Sequence, residues 1–192
     1  MHVRVTQPRR MVVGISGASG VVYGVRLLQL LRKLEIESHL VMSRSAQVTL
    51  AHESHFSVAD VRAMADICYT NADIGAAISS GSFPVMGMIV APCSIRTMSE
   101  VATGVTANLL SRAADVMLKE RRRLVLMVRE TPLHAGHIRS MAAVTEAGGI
   151  IFPPVPAFYS NPESIADMVD HTLGRVLDLF GIEAGTVRRW GV

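Results

Sequence analysis

The sequence has 192 residues, 49% of them hydrophobic and only 18% charged, with a net charge of +3 and a mean hydropathy of +0.34. That length suits one domain with a sizeable core, and the scarcity of charge points to apolar surface buried between copies of the chain or to a parallel sheet covered on both faces. No apolar run reaches the roughly 18 residues of a membrane span, the polar, basic start is no signal peptide, and dispersed arginines with few aromatics argue against nucleic acid. Cys68 and Cys93 show neither disulfide nor metal-ligand spacing, which suits a reducing cytoplasm.

Residues 1–10 read as a flexible tail and 11–192 as a single domain. Met11–Ile15 is a short apolar strand ending in glycines, and Gly20–Leu34 carries helical periodicity through Val21, Val25, Leu28 and Leu31. Ser38–Met42 is a second strand, after which Ser43 caps a helix running to about Glu53. Ser57 and Asp60 open a short helix, and Ile67–Thr70 is a minor strand. Met86–Ala91 is a strand stopped by Pro92, followed by helices from Ser94 and over Asn108–Arg122. Leu124–Val128 is a further buried strand, Leu133–Ala147 a helix stopped by Gly148-Gly149, Gly149–Phe152 a last strand, and Ser164–Phe180 the closing helix. This alternation predicts an α/β fold with a doubly wound, mostly parallel sheet, Rossmann- or flavodoxin-like, in three α/β/α layers. Ligands of such sheets sit beyond the carboxyl ends of the strands. Gly14–Gly20, Ser43–Ser45, Pro92–Thr97 and Arg129–Pro132 are therefore expected to converge on one crevice.

Gly14-Ile-Ser-Gly-Ala-Ser-Gly20 follows a strand and opens a helix, so its amides and the helix dipole suit an anion, with Ser16 and Ser19 adding hydroxyls. No Lys-Ser/Thr follows, and no acidic residue ends the second strand to hold a ribose, which favours a mononucleotide such as FMN over a dinucleotide. Ser94 and Thr97 suit either helix capping or a ligand. Arg112, Asp115 and Lys119 share a helix side at i, i+3 and i+7 and suit a second phosphate, whereas Arg121–Arg123 read as solvated charge. Arg129 and Glu130 end an apolar strand, where charge is costly unless paired or used. Tyr159 follows a proline-rich loop that would present it as a phosphate donor. His134 and His137 lie one helical turn apart, but no metal motif is present and no metal is expected. Cys93 reads as a packed residue rather than a nucleophile.

In their order and spacing, Gly14–Gly20, Ser79-Ser-Gly-Ser82, Ala91-Pro-Cys-Ser94, Arg112–Glu120, Arg129-Glu-Thr-Pro-Leu133 and Pro153–Tyr159 together resemble the flavin prenyltransferase family of the UbiX type, long described as aromatic-acid decarboxylases. The likeness runs from Met11 to about Trp190. It implies a homododecamer that transfers a dimethylallyl group from dimethylallyl phosphate to N5 and C6 of reduced FMN without a metal. The product, prenylated FMN, would serve a UbiD-type decarboxylase, in ubiquinone biosynthesis for example. By motif position, Gly17, Ala18, Ser19, Ser43 and Arg129 would hold FMN together with Ser94, Ile95, Arg96 and Thr97. Phe83, Arg112, Lys119 and Glu130 would meet the prenyl donor, as would Tyr159, Arg175 and Trp190. Glu53, Ser19, Lys119 and Glu130 form the implied catalytic set, with either Glu53 or the departed phosphate taking the C6 proton. Two departures stand out: Phe83 where tryptophan is common, and Arg96 where lysine is usual. The alternatives are an FMN-dependent decarboxylase of the related fold, for which a catalytic histidine and an Asn-Met clamp are not found, and a non-catalytic flavin-binding subunit.

Overall fold

The computed structural model describes residues 9–189 and 191. Six strands, β1 (Arg10–Ile15), β2 (Glu37–Met42), β3 (Ile67–Thr70), β4 (Gly87–Cys93), β5 (Arg123–Val128) and β6 (Ile150–Ile151), form one sheet in the order β3-β2-β1-β4-β5-β6. Every pairing is parallel. This is the Rossmann order, and its switch point lies between β1 and β4. The described residues form the α-helices α1 (Val21–Lys33), α2 (Arg44–Glu53), α3 (Val58–Met64), α4 (Ile95–Thr103), α5 (Leu109–Lys119), α6 (Ala135–Glu146) and α7 (Ile165–Asp178). The expected α/β/α layering is present.

The two faces of the sheet carry separate cores. Met11, Val13 and Ile15 of β1 turn toward α1, α2, α3 and α7, whereas Val12 joins Met88, Val90, Leu124 and Leu126 against α4, α5 and α6. Because both faces are covered, the central strands read as continuous apolar runs with no polar alternation. Met11, Met88, Met98, Met117 and Met127 are fully buried and fill gaps as flexible thioethers. Arg26 of α1 forks onto Asp170 of α7 at 2.6 and 2.8 Å, fastening two neighbouring helices at the surface.

Helix starts fall where the capping residues place them. Ser43, Ser57, Ser94, Asn108 and Ser164 each accept a backbone N–H three residues on, at 3.0 to 3.3 Å. Several boundaries differ from the sequence reading, α5 ending at Lys119 rather than Arg122, and two of the differences have a clear local cause. Pro92 does not stop β4, which continues to Cys93 through a register shift after Val90. Proline brings no N–H to the ladder, and its carbonyl is instead taken by Ser16. The sixth helix starts at Ala135 rather than Leu133, because the His134 ring accepts the Gly136 N–H at 3.0 Å and acts as the cap.

Gly24 shows how closely α1 lies on the sheet. A methyl there would overlap the Ala91 carbonyl and come within 2.7 Å of Ile15 Cδ1. Gly24→Ala is therefore expected to destabilise the fold by about 1–3 kcal/mol through overpacking, despite the ~1 kcal/mol helix-propensity gain. A fall in the urea midpoint at unchanged slope measures it.

Candidate active site

The strands β1 and β4 lie side by side, yet their chains leave toward opposite faces, β1 into α1 and β4 into α4. Ser16, 1% exposed, holds the two departures together. Its hydroxyl donates to the Pro92 carbonyl at 3.0 Å and accepts the Ser94 N–H at 2.7 Å, and its own N–H also reaches Pro92 O. Ser16 was expected to offer a hydroxyl to an anion; buried and fully used, it is a structural tie instead. Arg129 at the end of β5 donates from its backbone to Cys93 O and from Nε to Ser19 O. Gly17 packs onto the start of α2, where a methyl would overlap Ser45 Cβ and come within 3.1 Å of the Ser45 carbonyl carbon. The four segments therefore do meet at the carboxyl edge of the sheet.

Between them opens a cavity of about 550 Å³, lined by Gly17, Ala18, Ser19, Ser94, Ile95, Val128, Arg129, Glu130, Thr131 and the turn Pro153–Pro156. Its volume lies in the range typical of cofactor sites. The first turn of α4 faces it, so the positive end of a helix dipole points inward. Arg129 supplies the cation. Glu130 does not pair with it, because Oε1 accepts the Thr131 N–H at 3.1 Å. Burial pushes the Cys93 thiol far up, which leaves it a core residue and no nucleophile.

Glu53 sits at the rim in an unforeseen place. Its Oε2 accepts the N–H groups of Gly20 at 2.8 Å and Val21 at 3.1 Å, two of the orphan donors at the start of α1. Burial raises its pKa, but the Ser19 hydroxyl, these two amides and the Arg129 charge outweigh that and hold the carboxyl below its ordinary value. The α1 terminus, where a ligand anion was expected, thus already carries a carboxylate of the chain itself. Ser43 and Ser94 cap α2 and α4 beside it, and their helix starts remain as anion-facing dipole ends.

Other sequence-derived residues lie outside the cavity within one chain. The guanidinium of Arg96 is 81% exposed and paired to Glu100 at 3.0 Å, leaving only its backbone in the α4 first turn. Thr97 is buried under the Ser94 cap. Arg112 is paired with Asp115 at 2.8 Å. Lys119, seven residues on, stands roughly 10 Å farther along the helix, at the amino edge of the sheet beside the start of β5, where it pairs with Glu120. Phe83 occupies the same edge, with His39 edge-on at 5.1 Å and Arg10 over its ring at 5.1 Å, so it packs on its own sheet rather than lining the cavity. Arg175, near the end of α7, reaches Asp178. Tyr159 packs edge-on against His171 at 5.8 Å, whereas the prolines before it form the cavity wall. Trp190 lies outside the described residues. Among the described residues, no group of three or more His, Cys, Asp or Glu could hold a metal ion. Thr131, within the expected Arg129–Pro132 segment, and the proline-rich loop after the edge strand β6 both line the cavity, the prolines themselves forming its wall.

The comparisons with known proteins fit this geometry. The Flavoprotein family model matches residues 2–177. Flavin prenyltransferase UbiX of Salmonella typhimurium is 57% identical over 175 residues, covering 91% of this chain and 93% of that one. The chain belongs to the flavin prenyltransferase family. Among solved structures, AnUbiX (PadA1) in complex with FMN and dimethylallyl pyrophosphate superposes with a TM-score of 0.95 at 49% identity, over 97% of this chain and 99% of that one. A structure described as a dodecameric FMN-dependent UbiX-like decarboxylase from Escherichia coli O157:H7 gives 0.93 at 47% identity, over 95% and 100%.

The Glu53 bridge makes a pH-dependent prediction. Its folded pKa is lowered, so its contribution is fully present at neutral pH and is lost as pH falls through the carboxylate range toward that lowered value. Glu53→Gln should cost about 1 kcal/mol at neutral pH, a modest amount for a largely exposed cap. In urea titrations, the gap to the wild type should close as the medium is acidified, and a gap independent of pH would refute the assignment.

Proposed function

We propose that this chain transfers the dimethylallyl group of dimethylallyl phosphate to N5 and C6 of reduced FMN, releasing phosphate. The observation that carries the reading is the switch-point cavity. It joins one fixed arginine, Arg129, and the capped start of α4 to a proline wall that presents little to water. FMN is a substrate here. Gly17, Ala18 and Ser19 would lie along it, the helix starts at Ser43 and Ser94–Thr97 would face its phosphate, and Arg129 would neutralise charge beside it.

The reduced flavin would supply two electron-rich positions: N5 exchanges its proton for the first prenyl carbon as the C–O bond to phosphate breaks, then the alkene takes up a proton at its middle carbon, and its tertiary carbon bonds C6, which gives up its own proton. The chain has three tasks. It holds the two substrates in contact, which removes the entropy of encounter. It places cations where charge grows on the departing phosphate. It also keeps water away from the allylic carbon. Glu53 is ionised and within reach of the Ser19 hydroxyl, which suits it to accept a proton, and the leaving phosphate is the other acceptor on hand.

The donor half of the site is not complete within one chain. Lys119 and Arg175 stand at the far edge of the sheet, and Tyr159 lies beside the cavity rather than in it. We assign Arg112, Lys119, Tyr159 and Arg175 to the donor phosphate through assembly, with a neighbouring copy bringing its groups to the cavity rim. Val155 of the cavity wall, and Phe158 and Ile165 farther along the chain, are left exposed at 74%, 72% and 77%, and such apolar residues suit burial against another copy in a dodecamer. No described helix is long and apolar enough to cross a membrane. A cytoplasmic enzyme that hands prenylated FMN to a UbiD-type decarboxylase is the setting that suits such a product.

Anaerobic incubation with reduced FMN and dimethylallyl phosphate should raise the flavin mass by one prenyl unit. An unchanged mass, with the diphosphate inert as well, would end the proposal. The shared site has its own test. Glu53→Gln and Lys119→Ala, each slow by itself, should regain activity when unfolded together and reassembled as mixed oligomers, whereas a site confined to one chain would show no recovery.

A further inference from the structure

The arginine run Arg121–Arg123 reads in sequence as solvated charge, yet Arg122 does something else. It reaches back about 40 residues to the turn before β4, where Nη1 donates to the Phe83 carbonyl at 2.7 Å and Nη2 to the Gly81 carbonyl at 2.6 Å. A charged, two-pronged grip on backbone oxygens is among the stronger hydrogen-bond arrangements. It fixes the backbone of the turn.

That turn is where the Lys119–Glu120 pair rests. A methyl on Gly81 would overlap Glu120 Oε1 and lie 2.8 Å from Lys119 Nζ, so the bare backbone of Gly81 forms the surface against which the lysine head is set. The ammonium is located from one side by Glu120, whose carboxyl it holds below the ordinary range, and from below by the turn. Ser80 and Ser82 close the turn through their hydroxyls at 2.9 Å. The Phe83 ring anchors its far end between His39 and Arg10. His39 is itself fixed by Tyr69 and Glu37 at 2.9 and 2.7 Å.

A lysine is a flexible point charge that loses its worth when it wanders. We infer that Arg122 is a positioning residue: by clamping the Gly81–Phe83 turn it sets where the Lys119 ammonium stands, and so tunes recognition of the prenyl donor's phosphate while leaving the flavin half of the site untouched. The inference rests on the proposed role of Lys119 toward that phosphate.

The test compares steady-state kinetics with dimethylallyl phosphate and the dissociation constant for FMN. Arg122→Ala should raise the donor KM about tenfold with FMN binding unchanged. Arg122→Lys keeps one of the two carbonyl contacts and should recover part of the loss. Gly81→Ala displaces only the flexible ends of Lys119 and Glu120 and should give the same donor defect, so it carries the test if Arg122→Ala fails to fold. In a double-mutant cycle, Arg122→Ala on a Lys119→Ala background should add little to the loss in kcat/KM. An unchanged donor KM, fully additive losses, or equal weakening of FMN and donor would overturn the role. A wild-type protein that leaves the flavin unmodified would sink the parent reading and this inference together.

Discussion

A crevice at the edge of a parallel sheet exists only where two neighbouring strands part company, and something must keep their ends in register as they do. Here that duty falls on one buried hydroxyl. Ser16 joins the end of β1 to the end of β4 through Pro92 O and Ser94 N, at the point where the chain order reverses. Removing the hydroxyl would leave a buried N–H without its partner, a cost comparable to losing a hydrogen bond outright. Everything that lines the cavity leans on this junction. Ser94 caps α4 from it, Arg129 bonds Cys93 O beside it, and Gly17 passes over Ser45 only because it lacks a side chain.

The electrostatics of the crevice follow from who occupies which helix start. Three helices begin there, and one of them is already neutralised by Glu53. A carboxylate spent on α1 leaves the starts of α2 and α4, with Arg129, as the positive groups at the crevice. The same carboxylate links the cavity to a second helix, since Glu53 ends α2 and grips the beginning of α1. Its lowered pKa belongs to this structural duty, because the ionised carboxylate is the form that accepts both amides.

Much of this was legible in the sequence because it depends on local signals. Apolar strands ending in glycine or proline, and serines or asparagine three residues before an amide, locate the elements to within one to three residues. The parallel sheet then makes strand ends converge, which is why Gly17–Ser19, Ser94 and Arg129 were foreseen at one crevice. Three kinds of feature were not. Pro92 inside β4 breaks the usual reading of proline, and only the bond to Ser16 shows how the ladder tolerates it. The pairing of Glu53 with Gly20 spans more than thirty residues and has no periodic signature. The distance between Lys119 and the cavity follows from the direction of α5 across the sheet, which places the two ends of one charged motif at opposite edges.

The wall formed by Pro153–Pro156 bears on how the site meets its ligand. Three of its four residues have no N–H, and the fourth, Val155, gives its N–H to Pro153 O at 2.8 Å. The wall therefore offers water no donor to hold, so the film of solvent against it is loosely bound and easily displaced. Proline rings also fix φ before anything arrives, so this side of the cavity has little backbone freedom left to lose when it is filled. A surface so prepared favours a ligand face that asks for contact rather than hydrogen bonds, such as an isoalloxazine plane or a branched hydrocarbon chain.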